Sequence, residues 1–262
     1  MSTSSPAKPK DLTTFTTLSF DIYGTLIDWS SGLLQHLSPL LTRTPSPTTP
    51  TTVLTSFHAL ESQLQRANPT LTYSTLLAQT YLLLARQLSA DTNISTPALE
   101  AEAKAFGNSI GAWPAFPDTV SALESLGKRY TLIALSNVDR DSLQNSISGP
   151  LAPAPFAATY TAQDIGSYKP ALRNFDYLLE HAREEFGCGK GELLHVAQSL
   201  WHDHVPAREV GLRSVWIARE GGGNRALGRE EEGEGKVGYE WRFETLGEFA
   251  EEIERAFAEK ET

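Results

Sequence analysis

The sequence is poor in cysteine and in positive charge. Cys188 is the only cysteine among 262 residues, which excludes an intramolecular disulfide and a zinc site built from several cysteines. Lysine and arginine together number 22 against 32 aspartates and glutamates, so the formal net charge is −10. A chain of this balance lacks the basic surface that binds phosphate backbones or anionic lipids. We therefore expect neither a nucleic-acid partner nor a membrane partner.

Long apolar runs are also missing. No run approaches the ~20 apolar residues that a transmembrane helix needs. Residues 1–11 include Lys8 and Lys10 but no apolar segment behind them, so they do not resemble a secretory signal. The expected compartment is therefore the cytoplasm, where a lone thiol stays reduced.

The patterns that are present favour the α/β class. Alternating and β-branched stretches predict strands, and amphipathic stretches between them predict helices. The predicted strands cover residues 15–20, 130–135, 156–160, 193–197 and 214–218, and the predicted helices cover 119–126, 171–186, 204–210 and 246–258. A Gly/Glu-rich loop is predicted at 220–240. Strands that alternate with helices indicate a doubly wound parallel sheet with right-handed crossovers.

A helical insertion interrupts this pattern after the first strand. Leucines recur at helical spacing through this region, and a proline-rich stretch at 42–50 predicts a loop inside it. We assign residues 12–28 and 113–262 to a Rossmann-like core. Residues 29–112 are assigned to an inserted α-helical cap domain.

Polar side chains stand where the predicted strands end. Asp21 follows the first strand, Ser136 and Asn137 follow the second, Lys169 lies in a later loop, and Asp203 follows the fourth strand. The carboxyl ends of parallel strands share one edge of the sheet, so residues far apart in sequence converge there. We therefore expect these five residues to form one site.

Four short motifs built on these residues resemble those of the haloacid dehalogenase superfamily. They are Asp21-Ile-Tyr-Gly-Thr25, Leu135-Ser-Asn137, Tyr168-Lys-Pro170 and the segment around Asp203. The first motif, with Tyr23 two residues after Asp21, resembles that of the L-2-haloacid dehalogenase branch. Phosphatases of the superfamily usually have a second aspartate at the position of Tyr23. The residues from 195 to 206 resemble the version found in dehalogenase-like proteins of fungi. The likeness extends from Phe15 to about Ala218, and the insertion lies where that family has its cap.

The resemblance implies a hydrolase that acts on a small anionic molecule, a 2-halo carboxylic acid. Asp21 would form a covalent ester with the substrate, and water would release the 2-hydroxy acid and regenerate the aspartate. Lys169 would lower the pKa of Asp21 and keep it charged. Asp203 would orient Lys169 or position the water. No cofactor or metal is expected, and a homodimer is left open as a partner arrangement.

Four further residues are candidates for substrate contact. The Ser136 hydroxyl, the Asn137 amide and the Thr25 hydroxyl can donate hydrogen bonds to a carboxylate. Tyr23 can line the pocket and shield the nucleophile, because a halide departs as a stable anion and needs no proton. The resemblance also implies an arginine early in the cap that accepts the halide. The alignment places an uncharged residue near Ser56 at that position, and Arg43 and Arg66 are only substitutes for it.

Two alternatives remain open from the sequence. The first is a Mg²⁺-dependent phosphatase, in which Asp21, the Tyr23 carbonyl and Asp203 supply oxygen ligands. The second is a binding protein that keeps the fold without catalysis. His202 and His204 flank Asp203, but adjacent and alternate positions rarely face one site, so we predict that they are structural and not metal ligands.

Overall fold

The described residues form a six-stranded, fully parallel sheet. The structure is a computed structural model that describes residues 11–219 and 238–261. The strand order is β3-β2-β1-β4-β5-β6. The strands are β1 (Thr17–Phe20), β2 (Thr131–Ser136), β3 (Phe156–Thr161), β4 (Leu193–Ala197), β5 (Arg213–Ile217) and β6 (Trp241–Phe243). The predicted doubly wound parallel sheet is therefore confirmed.

The order of the strands places a crevice beside β1. The chain runs outward from β1 through β2 to β3, then returns to pair β4 with the other side of β1. At such a reversal the two connecting segments leave in opposite directions, and ligands of α/β sheets bind at the carboxyl ends of the strands there. Asp21 directly follows β1, so the topology places its carboxylate at this crevice.

Helices cover the sheet. They are α5 (Thr119–Leu126), α6 (Arg140–Ser148), α7 (Ala162–Ile165), α8 (Arg173–Phe186), α9 (Val205–Glu209) and α10 (Leu246–Glu261). In α10 the residues at helical spacing, Leu246, Phe249 and Ile253, are fully buried while the charged residues between them face solvent. Such amphipathic faces seal the core, so the central strands β1, β2, β4 and β5 are buried on both sides, whereas the edge strands β3 and β6 are partly exposed.

Four helices occupy the region predicted to be a cap. They are α1 (Trp29–Leu41), α2 (Pro50–Ala67), α3 (Tyr73–Gln87) and α4 (Thr96–Gly107), here called the helical segment. Asp28 caps α1 by accepting a hydrogen bond from the Ser31 amide at 3.0 Å, and Pro50 occupies the first turn of α2. The rings of Phe57 and Phe106 pack edge to face at 5.6 Å and hold α2 against α4. The helical character is as predicted; the domain boundaries at residues 29 and 112 stay a prediction.

Two contacts join the helical segment to the sheet domain. Tyr168, beside the motif lysine, donates its hydroxyl proton to the Leu71 carbonyl at 2.6 Å. The Asp139 carboxylate accepts from the Ser74 amide at 3.1 Å and from the Ser142 amide at 3.0 Å, so one side chain caps both α3 and α6. These bonds keep the helical segment closed over the carboxyl edge of the sheet.

The predicted boundaries differ from the structure at several places. The first strand begins at Thr17 because Leu12–Thr14 form a short 3-10 helix capped by Asp11. A turn of π-helix, Leu200–His204, precedes α9, where a single helix from 204 was predicted. Helix α6 and strand β6 were not predicted. Of the predicted loop at 220–240, residues 220–237 lie outside the described part of the chain. Within the described residues, no helix is long and apolar enough to cross a membrane.

Candidate active site

The Asp21 carboxylate is fixed by hydrogen bonds at both oxygens. Its Oδ1 accepts from Lys169 Nζ at 2.8 Å and its Oδ2 from the Thr25 hydroxyl at 2.6 Å. Gly24 has a φ of 95°, a backbone conformation that favours glycine, and this turn brings Thr25 back towards Asp21. The Thr25 oxygen in turn accepts from the Gln198 amide at 2.8 Å. The carboxylate is therefore held in one orientation at the end of β1.

Thr25 does not have the role that the sequence suggested. Its side chain is fully buried and its single proton is donated to Asp21. A hydroxyl has only one proton to give, so Thr25 has none for a substrate. We correct the prediction: Thr25 orients the Asp21 carboxylate.

Lys169 lies between two carboxylates. Its ammonium is 1% exposed and donates to Asp21 Oδ1 at 2.8 Å, to Asp203 Oδ1 at 2.6 Å and to the Leu135 carbonyl at 3.1 Å. An ammonium has three protons, and all three are used within the protein. Lys169 thus links Asp21 and Asp203 and has no free donor for a substrate.

Asn137 holds the backbone of that lysine. Its Oδ1 accepts from the Lys169 amide at 2.6 Å, and its Nδ2 donates to the Lys169 carbonyl at 3.0 Å. These two bonds fix the loop after β3 against the end of β2. Asn137 also lines the cavity. Its Nδ2 has two protons and donates only one of them to Lys169, so the predicted donation to a substrate stays a prediction.

The Asp203 oxygen that accepts from Lys169 also accepts from a histidine that the sequence did not single out. His195 Nε2 lies 2.9 Å from Asp203 Oδ1, and His195 Nδ1 lies 2.9 Å from the Ser19 hydroxyl. A carboxylate accepts only, so Nε2 carries a proton and donates it to Asp203. Ser19 and His195 are partners in the β1–β4 register. The feature of the sequence that could have indicated this role is a polar histidine within a strand of otherwise apolar residues.

Burial and the shared ammonium set the charges of the site. Burial raises the pKa of Asp21 above its ordinary value, and the Lys169 ammonium offsets this only in part. Lys169 therefore acts on the Asp21 pKa in the predicted direction, but desolvation outweighs its attraction and the net shift is upward. Burial also opposes ionisation of Asp203, but Lys169 and the His195 hydrogen bond hold the pKa of Asp203 well below its usual range. For Lys169, burial is outweighed by Asp203 and Asp21, which raise the pKa of the ammonium.

A cavity of about 330 Å³ opens between these residues and the helical segment. Asp21, Lys169 and Asp203 form part of its floor, together with Ser136 and Tyr23. The Ser136 hydroxyl is buried and has no hydrogen-bond partner among the described residues. A buried hydroxyl without a partner is costly, so this observation agrees with donation to a ligand, which stays a prediction.

Tyr23 forms a wall of the cavity. Its hydroxyl is 2.7 Å from the Ser146 hydroxyl on α6, and its ring packs edge to face with Trp113 at 6.2 Å between centroids. Burial raises the pKa of Tyr23, so the phenol stays protonated. The side chain is held by packing and lines the same cavity as Asp21, and its role in shielding that carboxylate stays a prediction.

The opposite wall comes from the helical segment, and sequence reasoning missed it. Glu61 on α2 accepts from the Tyr73 hydroxyl on α3, and His58 Nδ1 lies 3.4 Å from Glu61 Oε2. The other residues of the helical segment and its entry that line the cavity are Asp28, Trp29, Ser30, Ser31, Ser62 and Gln65. Helical periodicity predicted α2, but only the packing shows which face of α2 meets the sheet domain.

The two arginine candidates lie elsewhere. Arg43 makes two hydrogen bonds to Glu102, at 3.0 and 2.6 Å, and donates a third to the Ala90 carbonyl. Arg66 is exposed near the end of α2. Neither lines the cavity, and within the described residues no arginine does. Both candidates for the halide-accepting arginine were therefore wrong.

The histidines beside Asp203 face different directions. His204 is fully buried and bonded to the Ser214 hydroxyl and the Ala197 carbonyl, at 2.8 and 2.9 Å. His202 lies on the cavity and is 3.1 Å from the Ser199 hydroxyl. Burial lowers the pKa of both rings to about 4, so they are neutral at pH 7.

The residues around Asp21 keep the phosphatase alternative as a prediction. Asp21 and Asp203 each direct one oxygen to the Lys169 ammonium. No group of three or more His, Cys, Asp or Glu within the described residues is arranged to hold a metal ion. The donor set expected for Mg²⁺ is smaller, two carboxylates and the Tyr23 carbonyl, and Asp203 Oδ2 has no hydrogen-bond partner among the described residues.

Solved structures of the same fold are dehalogenases and a related hydrolase. The L-2-haloacid dehalogenase from Xanthobacter autotrophicus is 16% identical, with a TM-score of 0.70 over 92% of this chain and 98% of that chain. A structure of that enzyme with chloropropionic acid covalently bound gives 17% identity and a TM-score of 0.67 over the same shares of the two chains. A hydrolase named YfnB from Bacillus subtilis, bound to magnesium, is 17% identical with a TM-score of 0.69, over 92% of this chain and 99% of that chain.

At the level of sequence, no family model and no curated protein matches. The similarity is therefore one of fold. It spans nearly the whole of both chains, and the helical segment is included in it.

Proposed function

We propose, from the haloacid dehalogenase fold and the fixed Asp21 carboxylate, that this chain hydrolyses small 2-halo carboxylic acids. Asp21 attacks carbon 2, a C–O bond forms, and the C–halogen bond breaks with its electron pair leaving on the halide. Water then attacks the acyl carbon of the Asp21 ester, and the acyl C–O bond breaks. The products are the 2-hydroxy acid, halide and regenerated Asp21.

One observation carries this proposal. The Asp21 carboxylate lies on the cavity, bound at one oxygen by Lys169 and at the other by Thr25. A nucleophile held in one orientation loses less entropy on reaction than a mobile one. The Xanthobacter enzyme, which has the same fold, has been solved with chloropropionic acid covalently bound, and this supports a covalent intermediate in the proposed reaction.

The surrounding residues suit a leaving group that needs no acid. Tyr23, beside Asp21, stays protonated and bonded to Ser146, so it excludes water without transferring a proton. The unpartnered Ser136 hydroxyl is placed to donate to the substrate carboxylate. Asp203 orients Lys169, which keeps the Asp21 carboxylate in its attacking position.

Single-turnover isotope labelling tests the proposal. Excess enzyme is mixed with 2-chloropropanoate in ¹⁸O-water, and the peptide that contains Asp21 is analysed by mass spectrometry. We expect one ¹⁸O in Asp21, because water attacks the acyl carbon of the ester. Chloride release with the label found only in the 2-hydroxypropanoate would mean that water attacked carbon 2 directly, and Asp21 would not be the nucleophile.

Chelation separates this function from the phosphatase alternative. We expect dehalogenation to be unchanged by EDTA, because the proposed steps use only Asp21, Lys169 and water. Release of phosphate from phosphomonoesters that is lost with EDTA and restored with Mg²⁺ would support the phosphatase. If neither 2-halo acids nor phosphomonoesters are hydrolysed, the result would support the alternative of a binding protein without catalysis.

The pH dependence follows from the raised pKa of Asp21. Attack needs the carboxylate, so kcat/KM should rise as pH increases through the Asp21 pKa. Burial places this acid limb above the ordinary aspartate value of 3.8. The raised pKa of Lys169 means that no alkaline limb should appear below its ordinary value of 10.5. The check is a pH–rate profile of chloride release, and an acid limb at or below 3.8 would contradict it.

A further inference from the structure

The far wall of the cavity carries a histidine–glutamate pair that the proposed reaction does not use. His58 and Glu61 are one turn apart on α2, with Nδ1 and Oε2 3.4 Å apart. Glu61 is 8% exposed and also accepts from the Tyr73 hydroxyl on α3. The hydrogen bond from Tyr73 on α3 therefore fixes the carboxylate, and the His58 imidazole lies beside it at ion-pair distance.

The other nitrogen of His58 has no partner. Nε2 is buried and makes no hydrogen bond to any described residue, and His58 lines the same cavity as Asp21. Because the Glu61 carboxylate only accepts, Nδ1 must carry the ring proton. In the neutral ring Nε2 is then a lone pair, which accepts a hydrogen bond from a ligand.

The charges on the cavity walls favour the same kind of ligand. The carboxylates of Asp28 and Glu61 line the same cavity as those of Asp21 and Asp203. Lys169 has donated all of its protons within the protein. The far wall thus offers acceptors and negative charge, which bind hydroxyl or ammonium groups and repel a second anion.

We propose that His58 is a specificity-determining residue that accepts a hydrogen bond from the substrate. The substrate class is then a 2-halo acid with a hydroxyl or ammonium group further along its chain. This inference rests on the proposed function, because it places the reacting carbon at Asp21 and the second group at His58.

Binding of unreactive acids tests the inference without catalysis. Calorimetry compares straight-chain carboxylates of three to six carbons with the same acids carrying a terminal hydroxyl or ammonium group. For at least one chain length we expect the terminal donor to tighten binding about fivefold, the size of one net hydrogen bond. The hydroxyl and ammonium series together show which of the two donors is preferred.

Matched variants locate the effect at Nε2. His58→Asn keeps a donor for Glu61 but removes the atom at Nε2, so the preference should fall to about one. His58→Gln has a polar atom near the Nε2 position and should keep part of it. His36→Asn is the control, since His36 lies in the same helical segment and bonds to the Gly32 carbonyl away from the cavity.

Three results would overturn the inference. They are no preference at any chain length, a preference that survives in His58→Asn, and tighter binding of terminal dicarboxylates, which would make His58 a charged donor. Failure of the proposed function has a different signature: wild-type protein would show the binding preference but release no chloride from any 2-chloro acid and take no ¹⁸O into Asp21.

Discussion

Replacing Lys169 with methionine should lower the free energy of unfolding by about 3–5 kcal/mol, the cost of leaving buried charge without its partner. In the variant, Asp21 and Asp203 both lose the ammonium that lies within 2.8 Å of each. Methionine matches the length of the lysine stem, so packing changes little. Urea unfolding at pH 7 measures the effect.

An exposed lysine provides the control for this measurement. Lys190→Met makes the same chemical change at a surface position whose only described bond is to the Val210 carbonyl. Such surface changes usually alter stability by about 0.5 kcal/mol or less. Equal losses in the two variants would show that the buried ion cluster contributes nothing of its own.

The stability loss in Lys169→Met should shrink as pH falls. In the wild type the Asp203 pKa is depressed, so its stabilisation is complete above the ordinary aspartate pKa and is lost as pH falls through the depressed value. In the variant the two carboxylates repel each other. They take up protons at a higher pH than in the wild type, and this relieves the repulsion. Adding Asp21→Asn to Lys169→Met at pH 7 should restore part of the stability, and this double-mutant cycle measures the coupling.

The sheet was predictable because strand periodicity is a local signal. Strands β1, β2, β4 and β5 each contain a run of apolar or β-branched residues followed by a polar one. Helix α6 was missed because RDSLQNSIS has only two large apolar residues, and β6 because it has three residues at the sheet edge. Its pairing with β5 depends on the rest of the fold.

The site was predictable to the level of which residues meet, but not of what each one binds. Topology brings Asp21, Lys169 and Asp203 together, since strand ends share an edge. The hydrogen-bond partners of Thr25 and Asn137 depend on packing. In the folded chain, Thr25 bonds to Asp21 and Asn137 bonds to the backbone of Lys169. His58 is a further case. Helical periodicity predicts that it lies on α2, but its position on the cavity of Asp21 depends on how α2 packs against the sheet domain.

Asp21→Asn should lower kcat for dehalogenation by at least about 10³-fold, because an amide oxygen is a poor nucleophile and the covalent step is lost. The asparagine keeps an acceptor for Lys169, and the ammonium retains Asp203 as a partner. Fold and ligand binding should therefore persist. Single-turnover chloride release measures the chemical step, and calorimetry with propanoate measures binding.

Asp176→Asn is the matched control, an exposed aspartate in the first turn of α8. We expect its chloride release to equal that of the wild type. Near-normal release from Asp21→Asn would mean that another group attacks carbon 2. Loss of release together with loss of propanoate binding would mean that the substitution disturbed the cavity, and the ¹⁸O content of Asp21 in the wild type would then decide the role of the carboxylate. If chloride release is lost while propanoate still binds, the substitution has removed the attack on carbon 2 and left binding unchanged. Only the attack needs a carboxylate oxygen as the nucleophile.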